Sequence, residues 1–303
     1  MDNDFYIKKQ LAKIYKTISY KIQFYDKKVI NSYESNRLIS GMINENNPCM
    51  VSRFGATELL CINSYLNGKG YNKTVKYRIK NHAGVFPDTD EILDKFSEIY
   101  IESIRNIDIL AVWGIKSEKK IINKFCKKDI KLINPRGLEP YYFNEEGWSR
   151  LLDNKKVLVI HPFKKSILKQ YEIRESIFEM KNILPEFKSL QVIEAVQSIA
   201  GECNDFNNWL DAYSYMCNKI DSIDFDIAII GAGAYGLPLC SYVKSKGKKA
   251  IHMGGATQIL FGIKGMRWDN HKFISSLYNE SWKRPYEQEV PVQYKKVEGG
   301  SYW

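Results

Sequence analysis

The sequence predicts an α/β fold: a doubly wound, mostly parallel sheet with N-terminal helices and an extended C-terminal arm. Three observations carry this. Short apolar runs recur through the middle of the chain, and each is followed by residues with helical periodicity. Glycine- and proline-bearing turns mark the junctions between them. Residues 224–269 read as a complete strand, glycine turn, helix, strand, glycine turn. Alternation of this kind places helices on both faces of a parallel sheet.

In that unit, Ile227 to Ile230 is a continuous apolar run, as expected of a strand covered on both faces. Gly231, Gly233 and Gly236 follow, then a helical pattern that stops at Gly247. A second run at 250–253 ends in Gly254 and Gly255. Glycines at a strand's carboxyl end let backbone amides approach a ligand, and the next helix points its positive end there. These five glycines are therefore candidate phosphate contacts; the alternative is that they only permit tight strand-to-helix packing. The spacing of the first three also matches the dinucleotide fingerprint, which requires an acid about 20 residues further on. No Asp or Glu occurs from Gly231 to Arg267, and the first is Asp269, which argues against a nicotinamide cofactor.

Composition narrows the classes. The chain has 303 residues, of which 44% are hydrophobic, enough for a sizeable core. Its net charge of +10 suits a phosphate-bearing substrate, a polyanion or an anionic lipid surface. The lysines are spread along the chain with no basic tail, so a nucleic-acid partner is not expected. No apolar run approaches a membrane span, and the N-terminus lacks a signal-peptide pattern, so a cytoplasmic protein is expected. Six scattered cysteines and four histidines show no metal spacing.

In chain order, residues 5–30 read as one amphipathic helix. Ile7, Leu11, Ile14, Ile18 and Ile22 form a stripe opposite a lysine-rich face. A second helix covers 33–43, closing an N-terminal region of 1–47. The α/β domain is expected at 48–270, opening with a strand at 49–55 and a helix from Ala56. Residues 68–90 are irregular and basic, either a functional loop or a misread helix. Strands follow at 108–113, 130–133, 157–160 and 190–195, with helices at 118–126, 165–182 and 206–220, giving about seven strands. Residues 271–303 form the arm.

In a doubly wound sheet the carboxyl ends of the strands share one edge, where ligands bind. That rule gathers Arg53 and Glu58, Arg136 and Glu139, His161, Lys164 and Ser166, Glu194 and Gln197, and the glycine turns, with Lys264, Arg267 and Asp269 beyond. Cations and glycine amides suit a diphosphate leaving group. A carboxylate or histidine suits a general base for an acceptor hydroxyl, so Glu58, Glu194 and His161 are the catalytic candidates. Arg53, Arg136, Lys164, Gln197, Gly231, Gly233, Gly236, Gly254 and Gly255 are the candidates for holding the nucleotide. There is no P-loop, nucleophile elbow or Cys–His motif.

The runs SRFGATE at 52–58, AGVFP at 83–87, LEPYY at 138–142, VIHPF at 159–163 and AVQSIAG at 195–201, with the glycine unit, resemble bacterial proteins encoded with surface-polysaccharide genes. They are distantly similar to the GT-D-type glycosyltransferases. The resemblance implies a Rossmann-like fold, a nucleotide-sugar donor, and a glycan or lipid-linked glycan acceptor in capsule or O-antigen biosynthesis. Those enzymes carry an Asp-x-Glu motif after an Arg-Phe-Gly strand end. Here Glu58 matches the Glu, while Ala56 stands where the Asp would be. That departure puts Mn²⁺ or Mg²⁺ dependence in doubt and leaves basic residues to neutralise the diphosphate. The competing expectation is a non-catalytic nucleotide- or glycan-binding subunit of the assembly machinery. The basic N-terminal stripe also suits peripheral contact with the inner membrane or an oligomer.

Overall fold

The computed structural model describes residue 18 and residues 20–199 and 205–303. Its elements run β1 (Val29–Ile30), α1 (Ser32–Asn44), β2 (Met50–Arg53), α2 (Ala56–Asn67), α3 (Lys73–Arg78), α4 (Asp90–Arg105), β3 (Ile109–Ala111), α5 (Glu118–Phe125) and β4 (Lys131–Ile133). The second half continues β5 (Lys156–His161), α6 (Lys164–Glu172), β6 (Ser189–Glu194), α7 (Trp209–Asp221), β7 (Ile227–Ile230), α8 (Gly236–Ser245) and β8 (Lys249–His252). The short helices α9 (Thr257–Leu260), α10 (Met266–Asp269) and α11 (Lys272–Ser276) follow. The eight strands form one sheet, in the order β1-β4-β3-β2-β8-β7-β5-β6. Every pairing in it is parallel.

Strand side chains alternate between two hydrophobic layers, as the pleat requires. Met50, Leu110, Leu158, Ile160, Ala228, Ile230 and Ala250 face a layer shared with α2, α4, α5, α7 and α8. Val51, Ile109, Val157, Val159, Ile227, Ile229 and Ile251 face the other, shared with α1, α6, α9 and the C-terminal residues Trp282, Val297 and Trp303. The chain leaves β2 and β7 toward the first layer, and leaves their neighbours β8 and β5 toward the second. Each neighbouring pair along β2-β8-β7-β5 therefore parts toward opposite layers, which opens one continuous crevice across these four carboxyl ends.

Three local expectations are corrected. The first helix ends by Phe24, and Val29–Ile30 instead pair with β4, through Val29 opposite Leu132 and Ile30 opposite Ile133. These β-branched residues cover the edge that β4 would otherwise expose. Residues 5–17 and 19 of the expected helix lie outside the described residues. In the basic 68–90 stretch, Asn72 caps α3 by accepting from the Val75 amide, and a π-helical turn, Ile79–Ala83, continues it. Val75, Ile79 and Ala83, four residues apart, bury the inner face that the flanking lysines disguise. Finally, α6 stops at Glu172, not near residue 182. The carbonyl of Ile177 accepts from Trp282 Nε1 at 2.8 Å, and Asn279 Nδ2 donates to Ser176 O at 3.0 Å. Tertiary partners thus take the carbonyls that a longer helix would have used internally.

Candidate active site

A cleft of about 530 Å³ opens at the carboxyl edge and lies along this crevice. Arg53 ends β2, His161 ends β5, Gly231 and Gly233 follow β7, Gly254 and Gly255 follow β8, and Gln197 follows β6; all line the cleft with Glu58 of α2. Four of the residues given a role there do not, nor do Ser166, Lys264 and Asp269. Glu194 pairs in register with His161, but β6 is the last strand of the sheet and its final side chain meets solvent. Lys164 starts α6, whose amino terminus is already taken: the buried Glu289 accepts from the Lys165 amide at 2.6 Å and from the Ser166 amide and hydroxyl. Gly236 is a packing position, since a Cβ there would lie 2.3 Å from His252 Nε2. Arg136 lies on the turn after β4, with its guanidinium 4.8 Å from the Tyr142 ring centre, in a neighbouring groove. Gln197, although it lines the cleft, donates to the Glu289 carbonyl at 3.2 Å and so helps hold the arm.

Arg53 is placed by its neighbours. Its guanidinium lies 4.6 Å from the Trp113 ring centre, and a Cβ added to Gly254 would sit 3.4 Å from Nη1. It makes no hydrogen bond or ion pair among the described residues, so a full positive charge faces the cleft. Arg267, over Trp268 and Tyr302 at 5.3 and 4.7 Å, supplies a second cation, loosely paired at 3.5 Å with Glu298. The Trp113 Nε1 and Thr257 Oγ1 atoms are buried without a partner among the described residues. Trp113 lines the cleft, and a Cβ on the cleft residue Gly231 would lie 2.8 Å from Thr257 Oγ1.

Glu58 sits in the first turn of α2, and its carboxylate folds back over the backbone of Gly55. A Cβ at residue 55 would lie 1.9 Å from Oε2, so any other residue would push the carboxylate off this position. Burial raises the Glu58 pKa, with the α2 amide and the Arg53 charge opposing it. A second carboxyl, Glu139, also lines the cleft; burial raises its pKa too, against the Tyr141 hydroxyl, which donates at 2.9 Å, and the charges of Arg53, Arg136 and Arg267.

The imidazole of His161 accepts from the Phe163 amide through Nδ1 at 3.0 Å, and burial lowers its pKa to about 3. An amide can only donate, so the neutral ring carries its proton on Nε2. This makes His161 a hydrogen-bond donor, not the base that its strand-end position suggested. His252, with Nδ1 3.0 Å from Ser52 Oγ, is likewise held neutral, its pKa lowered to about 3. On the cleft's far wall the Ser198 hydroxyl donates to Gly84 O at 2.6 Å and lies 3.1 Å from the Tyr235 hydroxyl, fixing the loop that carries His82 and Ala83.

Sequence reasoning grouped Glu139 and Arg267 with the strand ends but gave them no role. It missed Trp113, Tyr142, His252, Glu298 and Tyr302, all of which line the cleft. Trp113 could have been found as the residue that ends the apolar run before Gly114. The last two come from the arm, and no periodicity in the sequence says that it returns to the strand ends.

Among the described residues, no group of three or more His, Cys, Asp or Glu is placed to hold a metal ion. Ala56 brings no ligand beside Glu58, and the charges acting on that carboxyl are the Arg53 cation and, against it, the Glu298 carboxylate from the arm. These residues do not fit the paired-carboxylate cation site that the motif would build.

Comparison with known proteins returns one positive finding. A family model described as a GT-D fold-like domain matches residues 31–260, which hold every strand from β2 to β8 and most of the cleft. No curated protein and no solved structure matches the chain. With most of its length matched, and a single parallel α/β sheet beneath that match, the chain belongs to the GT-D fold-like domain family.

Proposed function

We propose that this chain is a glycosyltransferase. It would move a sugar from a nucleotide-sugar donor to a glycan acceptor in bacterial surface-polysaccharide biosynthesis. The observation that carries this is the convergence of Arg53, Arg267 and the Gly231, Gly233 and Gly254 turns with two carboxyls of raised pKa in one cleft. The cations and amides match the charge that grows on a departing diphosphate. Glu58, with a pKa lifted above the usual carboxylate range, is the better base for an acceptor hydroxyl at neutral pH. His161 Nε2–H donates to a donor oxygen.

One observation favours a second reading, a non-catalytic nucleotide- or glycan-binding subunit: Ala56 replaces the Asp of the motif. Incubation with UDP-, GDP- and dTDP-sugars and CMP-sialic acid, each with and without Mn²⁺ or Mg²⁺, decides between them. Release of nucleotide that depends on Glu58 supports the transferase; tight binding without release supports the subunit.

The acceptor end of the reaction fits a site near the inner face of the membrane. Among the described residues no helix is long and apolar enough to cross a membrane. Ile18, Ile22 and Tyr25 are 51%, 65% and 84% exposed, although the Lys119 ammonium lies over the Tyr25 ring. Beside the N-terminal lysines, these side chains suit peripheral contact with anionic lipid, each nearby lysine adding about 1 kcal/mol.

A further inference from the structure

Beside the cleft lies a second, more open groove of about 590 Å³, and Tyr142 lines both. Its charge balance differs from that of the cleft. Arg136 faces two carboxylates, Glu145 and Glu146, an arrangement that repels a diphosphate. It suits a ligand rich in hydroxyl groups, which donate to carboxylates and accept from a guanidinium.

The groove is also built, not merely open. The Tyr142 ring is fixed between the Arg136 guanidinium and the ring of Phe273, stacked at 4.1 Å and 16°. Tyr33 is 45% exposed, and its hydroxyl holds the Glu146 carboxylate. The Glu145 side chain and the Arg136 guanidinium have no hydrogen-bond or ion-pair partner among the described residues, so their polar atoms are free for a ligand. The exposed Tyr33 ring beside free polar groups matches the two surfaces of a sugar, its apolar C–H face and its hydroxyl rim. Arg136 and Glu139 lie three residues apart on one turn, and Glu139 lines the cleft. A chain lying in the groove therefore has a short path past Tyr142 to Glu58.

We propose that this groove is the acceptor subsite and binds an oligosaccharide whose reacting end passes Tyr142 into the cleft. The proposal rests on the transferase reading, and its test separates the two. The full chain and its Glu145→Gln and Tyr33→Ala variants are applied to an array of bacterial surface oligosaccharides, and hits are titrated in solution. UDP, GDP, dTDP and CMP are titrated against the same three proteins. The expected result is oligosaccharide binding by the parent chain that weakens roughly tenfold in each variant, the loss of one charge-assisted hydrogen bond or one ring contact. Nucleotide affinity stays within about twofold, as for sites that do not share a ligand group. Both side chains are exposed, and unchanged melting temperatures establish that the variants are folded. A parent chain that binds nucleotide but no oligosaccharide overturns the groove and leaves the donor site standing. Variants that bind oligosaccharide like the parent, or that lose nucleotide to the same degree, also overturn it. Oligosaccharide binding lost in the variants of a chain that binds no nucleotide supports the groove and overturns the donor reading.

Discussion

Glu58 is the side chain on which the proposed chemistry turns, and its environment explains why. It needs Gly55 beneath it, Arg53 beside it and the first turn of α2 to hold it. Glu58→Gln keeps the shape and removes the base, so nucleotide release should fall about 10²–10⁴-fold with little change in donor affinity. The rise of the parent's rate with pH should also move above the usual carboxylate range and vanish in the variant. The buried histidines give a separate test. Burial lowers the His252 pKa from the 6.5 of a free imidazole to about 3. A depressed histidine contributes stability that is fully present above the unfolded pKa and is lost as pH falls toward the folded one. The stability difference between the parent and His252→Asn should therefore be constant above pH ~6.5. Below that it should shift against the parent by about 1.4 kcal/mol per unit, read by denaturant unfolding at several pH values. A difference that stays flat to pH 5 would mean that the ring protonates in place. Arg53, Glu58 and the glycines were legible because strand ends in parallel sheets collect ligand groups. The tautomer of His161 was not, because it depends on the Phe163 amide, whose direction no sequence pattern reports.

At the scale of elements, the arm does more than cover the domain. Glu289, over a hundred residues from α6 in the chain, caps its amino terminus and removes that helix end from the candidate anion sites. Glu289→Ala leaves the Lys165 and Ser166 amides unpaired in a buried place. It should cost about 1–3 kcal/mol in denaturant unfolding while leaving nucleotide affinity intact. If affinity fell in step with stability, the helix end would be part of the ligand site after all. Strands were read well because continuous apolar runs bounded by turns have few other meanings. Helix ends were read poorly where tertiary partners competed, as at Ile177, or where charged residues hid a short apolar face, as at Val75, Ile79 and Ala83. A two-residue edge strand such as β1 carries too little pattern to be seen at all.

At the scale of the molecule, the sheet order opens a crevice across four strand ends where a single switch point would join two. A cleft that lies along it can hold a donor across β2, β8, β7 and β5 together. The net charge of +10 and the exposed Ile18, Ile22 and Tyr25 suit an acceptor at a membrane surface. Sedimentation with anionic liposomes should therefore recover the chain in the pellet at low salt, less at high salt, and not after deletion of residues 1–30. Equal recovery in the supernatant with and without liposomes at low salt would remove membrane contact from the account. The central claim is that the cleft binds a nucleotide-activated sugar through Arg53, and calorimetric titration of UDP-, GDP- and dTDP-sugars and CMP-sialic acid tests it most directly. The account predicts that at least one donor binds the parent chain, that added salt weakens binding, and that Arg53→Met, which keeps an unbranched apolar stem and removes the charge over Trp113, loses roughly tenfold or more. Binding of no donor by the folded parent chain, or equal binding by Arg53→Met, would contradict it.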